Sequence, residues 1–277
     1  MMIALLLATY NSGKYLREQL DSLFLQTYKD WTLYVHDDGS IDDTLDIVKE
    51  YSDKYPNRIF VVAPELKGLG AYMNFVTIMN AVEADYYAFC DHDDVWLPNK
   101  LEISVERMQL EEQKYPNLPI VVNTDMMVVD QNLNVLNESF WNYSRFLPNH
   151  IKFEELVSCN SVNGCTMLFN NNAKQVTHGN EPYCLMHDTL VSQSVAIAGG
   201  VISVIKKPTM LYRQHLNNEI GAPKRTKLYF VKNLFNISSA LNRNFIVWKR
   251  IRNMKNISFL TFLYYKFKVT LLRYMLV

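Results

Sequence analysis

Tyr86-Tyr87-Ala88-Phe89-Cys90-Asp91-His92-Asp93-Asp94 decides the fold. Five apolar or aromatic residues run without a break and stop at three carboxylates in four positions. An uninterrupted apolar run of that length fits a strand buried on both faces, as in the middle of a parallel sheet. The carboxylates follow at its carboxyl end, where open α/β sheets bind ligands. Like charges so close repel one another and desolvate poorly, and a cation or a hydrogen-bonding ligand relieves that cost. The competing reading is a solvated acidic loop.

The same alternation extends in both directions. Upstream, Ile3–Thr9 is a second continuous apolar run, followed by turn chemistry at Asn11-Ser12-Gly13. Leu16, Leu20, Leu23 and Phe24 then recur at helical spacing. Trp31, Leu33 and Val35 alternate as a strand and end at Asp37-Asp38-Gly39-Ser40, a second acidic cluster that also reads as a strand-to-helix turn capped by Ser40 or Asp42. Leu45, Val48, Tyr51 and Tyr55 mark a helix, residues 59–63 a strand, and Tyr72, Phe75, Val76, Met79 and Val82 a further helix after a loop with Gly68 and Gly70. Downstream, Pro98 opens a helix carrying Leu101, Val105 and Met108. Strand and helix in alternation predict a mainly parallel sheet with helices on both faces. The second half is less regular. Residues 120–123, 126–129, 165–169, 201–205 and 209–213 read as strands, residues 131–134 as a turn and residues 187–198 as a helix.

The chain has 277 residues, about half of them hydrophobic, enough for one large domain with an appendage. Its formal net charge of zero hides a split. From Gly221 onward there is no Asp or Glu, and twelve Lys or Arg. The first 220 residues hold the remaining 16 basic side chains against all 28 acidic ones. We therefore expect a domain over residues 1–223 and a basic, amphipathic helical segment over residues 224–277. The four cysteines show no CxxC spacing and read as free thiols of a reducing compartment. The apolar start lacks a preceding basic stretch and reads as a buried strand, not as a signal peptide. No stretch approaches the roughly 18–20 apolar residues of a spanning helix.

The quoted blocks resemble family-2 glycosyltransferases: Ala8-Thr9-Tyr10-Asn11-Ser12-Gly13-Lys14-Tyr15-Leu16, then His36-Asp37-Asp38-Gly39-Ser40, then Asp91-His92-Asp93-Asp94-Val95-Trp96-Leu97-Pro98-Asn99-Lys100. Asn163-Gly164-Cys165-Thr166, Met186-His187-Asp188 and Tyr212-Arg213-Gln214-His215 continue the order, so the resemblance covers roughly residues 3–221. The DxDDxWxPxK pattern is similar to the bacterial rhamnosyltransferase branch. The resemblance implies a GT-A (Rossmann-like) fold, a mixed and mainly parallel sheet with flanking helices. It also implies metal-dependent, inverting transfer of a sugar from a nucleotide-diphosphate donor to a saccharide or lipid-linked saccharide, in bacterial surface polysaccharide synthesis. The donor suggested by the branch is dTDP-rhamnose, with UDP-hexoses as the alternative.

The resemblance also assigns residues. Thr9 and Tyr10 would line the nucleobase pocket, and Asp38 would accept a hydrogen bond from the base. Gly68 and Asn74 would lie near the donor. Asp91 would face ribose and metal, Asp93 would ligate a Mg2+ or Mn2+ ion, and hard cations favour such carboxylates. Asp188 would be the general base, with His187 orienting it or touching the acceptor. Arg213 and His215 would approach the diphosphate and the metal. Each has a plainer reading: Tyr10 as a core aromatic, Asp188 as a helix-start residue favoured by the dipole, Arg213 as an ion-pair partner. Relatives in the branch often follow His-Asp with two tryptophans; Thr189-Leu190 stand here instead. A non-catalytic nucleotide-sugar or glycan-binding module on the same fold is the alternative function. A nucleotidyltransferase would need a Gly-rich, cationic loop where Tyr10-Asn11-Ser12-Gly13 stands.

In the tail, Phe245-Ile246-Val247-Trp248-Lys249-Arg250-Ile251-Arg252 and residues 259–274 interleave aromatic, aliphatic and basic side chains. Such segments suit a helix lying on an anionic membrane surface. A cytoplasmic enzyme, peripheral at the inner face of the plasma membrane, is expected. The competing expectation is a helical pair packed on the catalytic domain. No nucleic-acid-binding motif accompanies the charge.

Overall fold

The computed structural model describes residues 1–216, 218, 221–222 and 237–275. The expected boundary at 223/224, and Lys224, Arg225, Lys227 and Lys232 of the basic tail, lie outside the described residues. In chain order the elements are β1 (Ile3–Thr9), α1 (Gly13–Phe24), β2 (Trp31–Asp37), α2 (Thr44–Lys54), β3 (Ile59–Val61), α3 (Gly70–Ala81) and β4 (Tyr86–Cys90). Then come β5 (Val95–Trp96), α4 (Lys100–Lys114), β6 (Ile120–Val129), β7 (Val135–Asn137), α5 (Phe140–Ser144) and α6 (Phe153–Leu156). The chain continues through β8 (Met167–Asn170), α7 (Asn171–Gln175), α8 (His187–Ile197), β9 (Val201–Arg213), α9 (Ile237–Met254) and α10 (Phe259–Met275).

One mixed sheet has the order β3-β2-β1-β4-β8-β6-β9-β5, with β7 paired to β6. Strands β3, β2, β1 and β4 are mutually parallel. Both faces of β1 are buried, which is why its sequence does not alternate. Ile3, Leu5 and Leu7 join a core with α1, α2 and α4, while Ala4, Leu6 and Ala8 join a second core with α3 and α8. Across β4 the direction changes, because β8 pairs with β4 and with β6 antiparallel. The sheet therefore has a parallel half and a mixed half, and the Asp91–Asp94 loop leaves β4 at their seam.

Two expected strand pairs are each one strand. β6 and β9 run side by side in parallel, and their register shifts around Asp125, which faces Pro208. Lys206 and Lys207 bulge outward there, exposed. The bulge inserts polar residues into both apolar runs, which is what cuts them in the sequence. Thr124 and Thr209 tie the strands across it, Oγ1 to Oγ1 at 2.7 Å. Val95-Trp96, read within the acidic block, forms the short strand β5 against β9.

The two C-terminal helices pack on the body. Ile251, Ile257 and Phe262 bury against Phe153 and Val157. Lys255 pairs with Glu154 at 2.9 Å, Lys266 donates to the Ser158 carbonyl at 2.6 Å, and Lys268 lies 3.4 Å from Glu155. The basic groups of α10 thus turn toward the domain. Its outer face carries Leu260, Tyr264, Phe267, Leu271 and Met275, all exposed. No described helix is long and apolar enough to cross a membrane.

Candidate active site

A cleft of about 830 Å3 opens over the carboxyl ends of β1 and β4 and extends along β6 and β9. Of the residues expected at the site, Thr9, Tyr10, Asp38, Asn74, Asp91, Asp93, His187, Asp188 and His215 all line it, and Gly68 and Arg213 do not.

On the parallel half, Thr9 is buried, and its hydroxyl donates to Asp37 at 2.9 Å. Asp37 also accepts from the Gly39 and Ser40 amides and the Ser40 hydroxyl, so it organises the turn. The second aspartate, Asp38, is left to face the cleft. Its carboxylate accepts from the Leu69 and Gly70 amides at 2.6 and 2.8 Å, fixing the start of α3. Gly68 sits behind this contact with φ of +70° and donates to the Asp38 carbonyl, so its part is in the turn and not in the cleft wall. Asn74 is buried and aligned by His36, 2.7 Å from its side-chain oxygen. Tyr10 is 58 % exposed at the rim, which excludes a core role.

At the seam, His215 Nε2 lies 2.9 Å from Asp93 Oδ2, and the Asn218 amide lies 3.3 Å from the same oxygen. The Tyr15 ring stacks on His215, with centroids 4.8 Å apart. Asp91 is pushed up to about 7 by burial and by the neighbouring Asp93 and Asp188 charges. Asp94 is fully buried; one oxygen accepts the Arg213 amide and the other has no partner among the described residues. Ligand atoms of Asp91, Asp94 and Cys165 lie within 4.8 Å of one another. Burial and the nearby carboxylates hold the Cys165 thiol well above its ordinary range, and a soft sulfur suits a hard cation less than the carboxylates do. Concentrated carboxylates with one imidazole and an orphaned buried oxygen fit a hard divalent cation. Among the described residues, the group whose ligand atoms converge is Asp91, Asp94 and Cys165, while the expected ligands Asp93 and His215 are bonded to each other along the same cleft.

Arg213, expected near the diphosphate, lies behind the acidic loop. Its side chain is buried, and its donors go to the Asp93 carbonyl and the Gln131 carbonyl, each at 2.8 Å, and to Glu18 at 2.5 Å. The guanidinium also lies over the Tyr15 ring at 4.5 Å. It clasps the acidic loop to α1 from behind. The pairing of β5 with β9 sets that direction, and a motif in the sequence does not reveal it. Among the described residues, the Lys or Arg that does line the cleft is Lys14, at the start of α1.

Asp188 occupies the first turn of α8. Its carboxylate accepts the Thr189 amide at 2.5 Å and also bonds the Asn160 side chain and the Gly164 amide. Burial outweighs these donors and raises it to about 6. His187 is sandwiched by Phe75 and Phe89, with centroids 4.0 and 4.5 Å away, and burial lowers it to about 3. A neutral, wedged imidazole anchors the turn that presents Asp188. A Cβ on Gly164 would stand 2.2 Å from His187 Nε2. The Asn163-Gly164-Cys165-Thr166 block therefore has a physical content: a 3-10 turn that donates an amide to Asp188 and leaves room for the ring behind it. Leu190 is buried in the core, and Thr189 lines the cleft. The aromatic wall comes from elsewhere, from Phe140, Phe146 and Tyr212. Phe140 lies in a five-residue helix, too short for a periodic signal, and Tyr212 in β9 comes beside it only through the fold.

A family model described as Glycosyl transferase family 2 matches residues 5–169, more than half of the chain. The chain belongs to this family. Among curated relatives it is 28 % identical over 224 residues to the dTDP-rhamnosyl transferase RfbG of Shigella flexneri, covering 78 % of this chain and 74 % of that protein. Among solved structures it is similar to S. aureus TarS in complex with UDP, with a TM-score of 0.57 and 21 % identity over 77 % of this chain and 61 % of that one. It is also similar to the mannosyltransferase PcManGT of Pyrobaculum calidifontis in complex with GDP-Man and Mn2+, with a TM-score of 0.57 and 15 % identity over 83 % of this chain and 60 % of that one. This chain thus spans about three-fifths of those solved chains, and at such identities the likeness shows the family's fold.

Proposed function

We propose that this glycosyltransferase moves a sugar from a nucleotide-diphosphate donor to a saccharide hydroxyl with inversion, using Asp188 as base and a divalent cation at Asp91, Asp93 and His215. The observation that carries the reading is the position of Asp188. It shares one cleft with the Asp91–Asp93 pair, close enough that its charge raises Asp91. When bound, the cation neutralises charge on the departing diphosphate. The chain's own residues do the rest. Thr9, Tyr10, Asp38 and Asn74 take the nucleoside on the parallel half. Lys14 supplies the positive charge toward the phosphates that Arg213 does not. Three donors orient the Asp188 carboxylate, so that it accepts the acceptor's hydroxyl proton as that oxygen attacks the anomeric carbon. The bond to diphosphate breaks on the opposite side, and one displacement inverts the centre. The RfbG relationship favours dTDP-rhamnose as donor.

The acceptor in this reading is a lipid-linked saccharide at the cytoplasmic face of the membrane. Residues 224–277 form the appendage that brings the enzyme there. The outer stripe of α10 enters the lipid boundary, and exposed Lys249, Arg250 and Arg252 of α9 meet anionic headgroups. Co-sedimentation with phosphatidylglycerol vesicles should fall when Phe267 and Leu271 are both changed to Ser; equal binding by that variant removes the membrane claim. For the reaction, the full chain is incubated with dTDP-rhamnose, UDP-glucose, UDP-GlcNAc or GDP-mannose, with Mn2+ or with EDTA. Metal-dependent release of nucleoside diphosphate is expected with one of them. Binding of a donor without any turnover, with or without saccharide acceptors, would instead make this a non-catalytic binding module.

A further inference from the structure

Two asparagines stand beside Asp188, and both line the cleft. The side chain of Asn160 is committed inside the protein. Its amide donates to the Val162 carbonyl at 2.8 Å, and its oxygen accepts the Val162 amide at 3.3 Å and the Ser192 hydroxyl at 3.2 Å. It also bonds Asp188. Thr189, the residue after the base, turns its hydroxyl to the Met186 carbonyl at 2.7 Å.

Asn163 is different. It stands just before the 3-10 turn Gly164–Thr166, where an asparagine side chain ordinarily accepts from the first amides. Here the side chain makes no such bond. The backbone holds the turn instead. The Asn163 carbonyl accepts the Thr166 amide at 3.1 Å and the Thr166 hydroxyl at 2.9 Å, and the Gly164 amide goes to Asp188. The Asn163 side-chain oxygen is closed off from water and has no partner among the described residues. His187 Nδ1, in the same wall, is closed off and partnerless too. Most buried polar atoms are paired, and an unpaired one costs stability. A carboxamide at the cleft that weakens the fold and serves none of its bonds points to a ligand. The last torsion of an asparagine is broad, so a small rotation can bring either polar atom to a molecule in the cleft.

A carboxamide donates and accepts at once, as a sugar hydroxyl does. The hydroxyl that gives up its proton must lie within a hydrogen bond of Asp188. Asn163 adjoins that carboxylate through Gly164, the next residue in the chain. We infer that Asn163 is an acceptor-binding residue, whose carboxamide hydrogen-bonds the ring hydroxyl next to the one that Asp188 deprotonates. The acceptor is then a sugar with two adjacent free hydroxyls. The inference rests on the transferase reading of the cleft and deepens its acceptor half.

Three measurements on the full chain test it. Calorimetry gives the affinity for UDP and dTDP with Mn2+. Saturation-transfer NMR titrations of the nucleotide-loaded protein give the affinity for methyl pyranosides (gluco, galacto, manno, rhamno). Urea unfolding gives the midpoint. Asn163→Ala should weaken the pyranoside about five- to tenfold, the size of one lost hydrogen bond, with nucleotide affinity unchanged. Asn163→Leu, apolar and of similar size, should weaken it as much and raise the urea midpoint, because an unpaired polar group is gone. For the pyranoside bound best, removal of one ring hydroxyl should weaken binding to the wild type and leave binding to Asn163→Ala unchanged, since both changes delete the same bond. Undiminished pyranoside binding in Asn163→Ala overturns the inference. So does a wild-type protein that binds nucleotide but no pyranoside, a loss of nucleotide affinity in place of pyranoside affinity, or hydroxyl deletions whose penalties all add to that of Asn163→Ala. A lower urea midpoint in both variants makes Asn163 a support of the fold and overturns it as well. Wild-type protein that binds no nucleotide would instead sink the transferase reading.

Discussion

Gly164→Ala places one methyl group in a space that belongs to His187. The new Cβ would lie 2.2 Å from Nε2, 2.9 Å from Cδ2 and 3.3 Å from Cε1, where ordinary contact begins near 3.4 Å. Something must move by about 1 Å. The ring cannot yield easily, because Phe75 and Phe89 flank it. Either α8 lifts or the 164–166 turn recedes, and both carry contacts of Asp188. Overpacking of a filled core costs about 1–3 kcal/mol. In a chain of this size that lowers Tm by roughly 3–10 °C. Displacing a reacting carboxylate by about 1 Å costs on the order of 100-fold in rate. The assay is a double-mutant cycle with His187→Ala, read by chemical denaturation and by single-turnover transfer. Removing the ring makes room for the methyl, so Gly164→Ala should cost almost nothing in the His187→Ala background, a coupling of about 1–3 kcal/mol. Additive effects within about 0.5 kcal/mol, or a Gly164→Ala enzyme with wild-type rate, would refute the reasoning.

Asp188→Asn keeps the shape but cannot accept a proton, and transfer should fall by about a thousandfold or more with nucleotide affinity intact. In the wild type the base works ionised and is raised to about 6, so the rate should climb as pH rises through about 6 and level off above it; the Asn variant should lack that limb. Asp93→Ala should abolish activation by Mn2+ and lower turnover more than about a hundredfold at saturating donor, since several kcal/mol of charge stabilisation depend on the cation; a metal titration gives the answer. Arg213→Met strands the Asp93 and Gln131 carbonyls and should cost about 3 kcal/mol in urea unfolding, with donor KM in the surviving fraction changed little. A large donor-KM effect without loss of stability would return Arg213 to the diphosphate.

Legibility in the sequence followed burial. β1 and β4 announce themselves because both faces are covered, so all seven and all five of their residues are buried and no polar alternation breaks the runs. β6 is nearly as buried and β9 only in part, and both are broken by a bulge at Asp125 and Pro208, so each reads as two. Helix α5 is too short for a period. Asp38 and Asp93 were visible as members of acidic clusters, but which aspartate of Asp37-Asp38 builds the turn depends on where the Thr9 hydroxyl and the Gly39 and Ser40 amides point. Asp188 stood out through resemblance alone, for an acid in the first turn of a helix is common. The partners of Arg213 have no signal in the sequence, because three acceptors from distant segments converge on it only after the sheet has closed.

The docking of α10 on the body sets a timetable. Its Arg273 donates to the Arg145 carbonyl, 128 positions earlier in the chain. During synthesis the strands β1 to β9 leave the ribosome first, and nearby segments fold as they appear. The sheet can then be assembled before Arg273 reaches the end of α5. That contact forms only when α10 has emerged and docked. A polypeptide stalled before residue 273 would thus carry β1 to β9 without the guanidinium that bonds the Ser144 and Arg145 carbonyls.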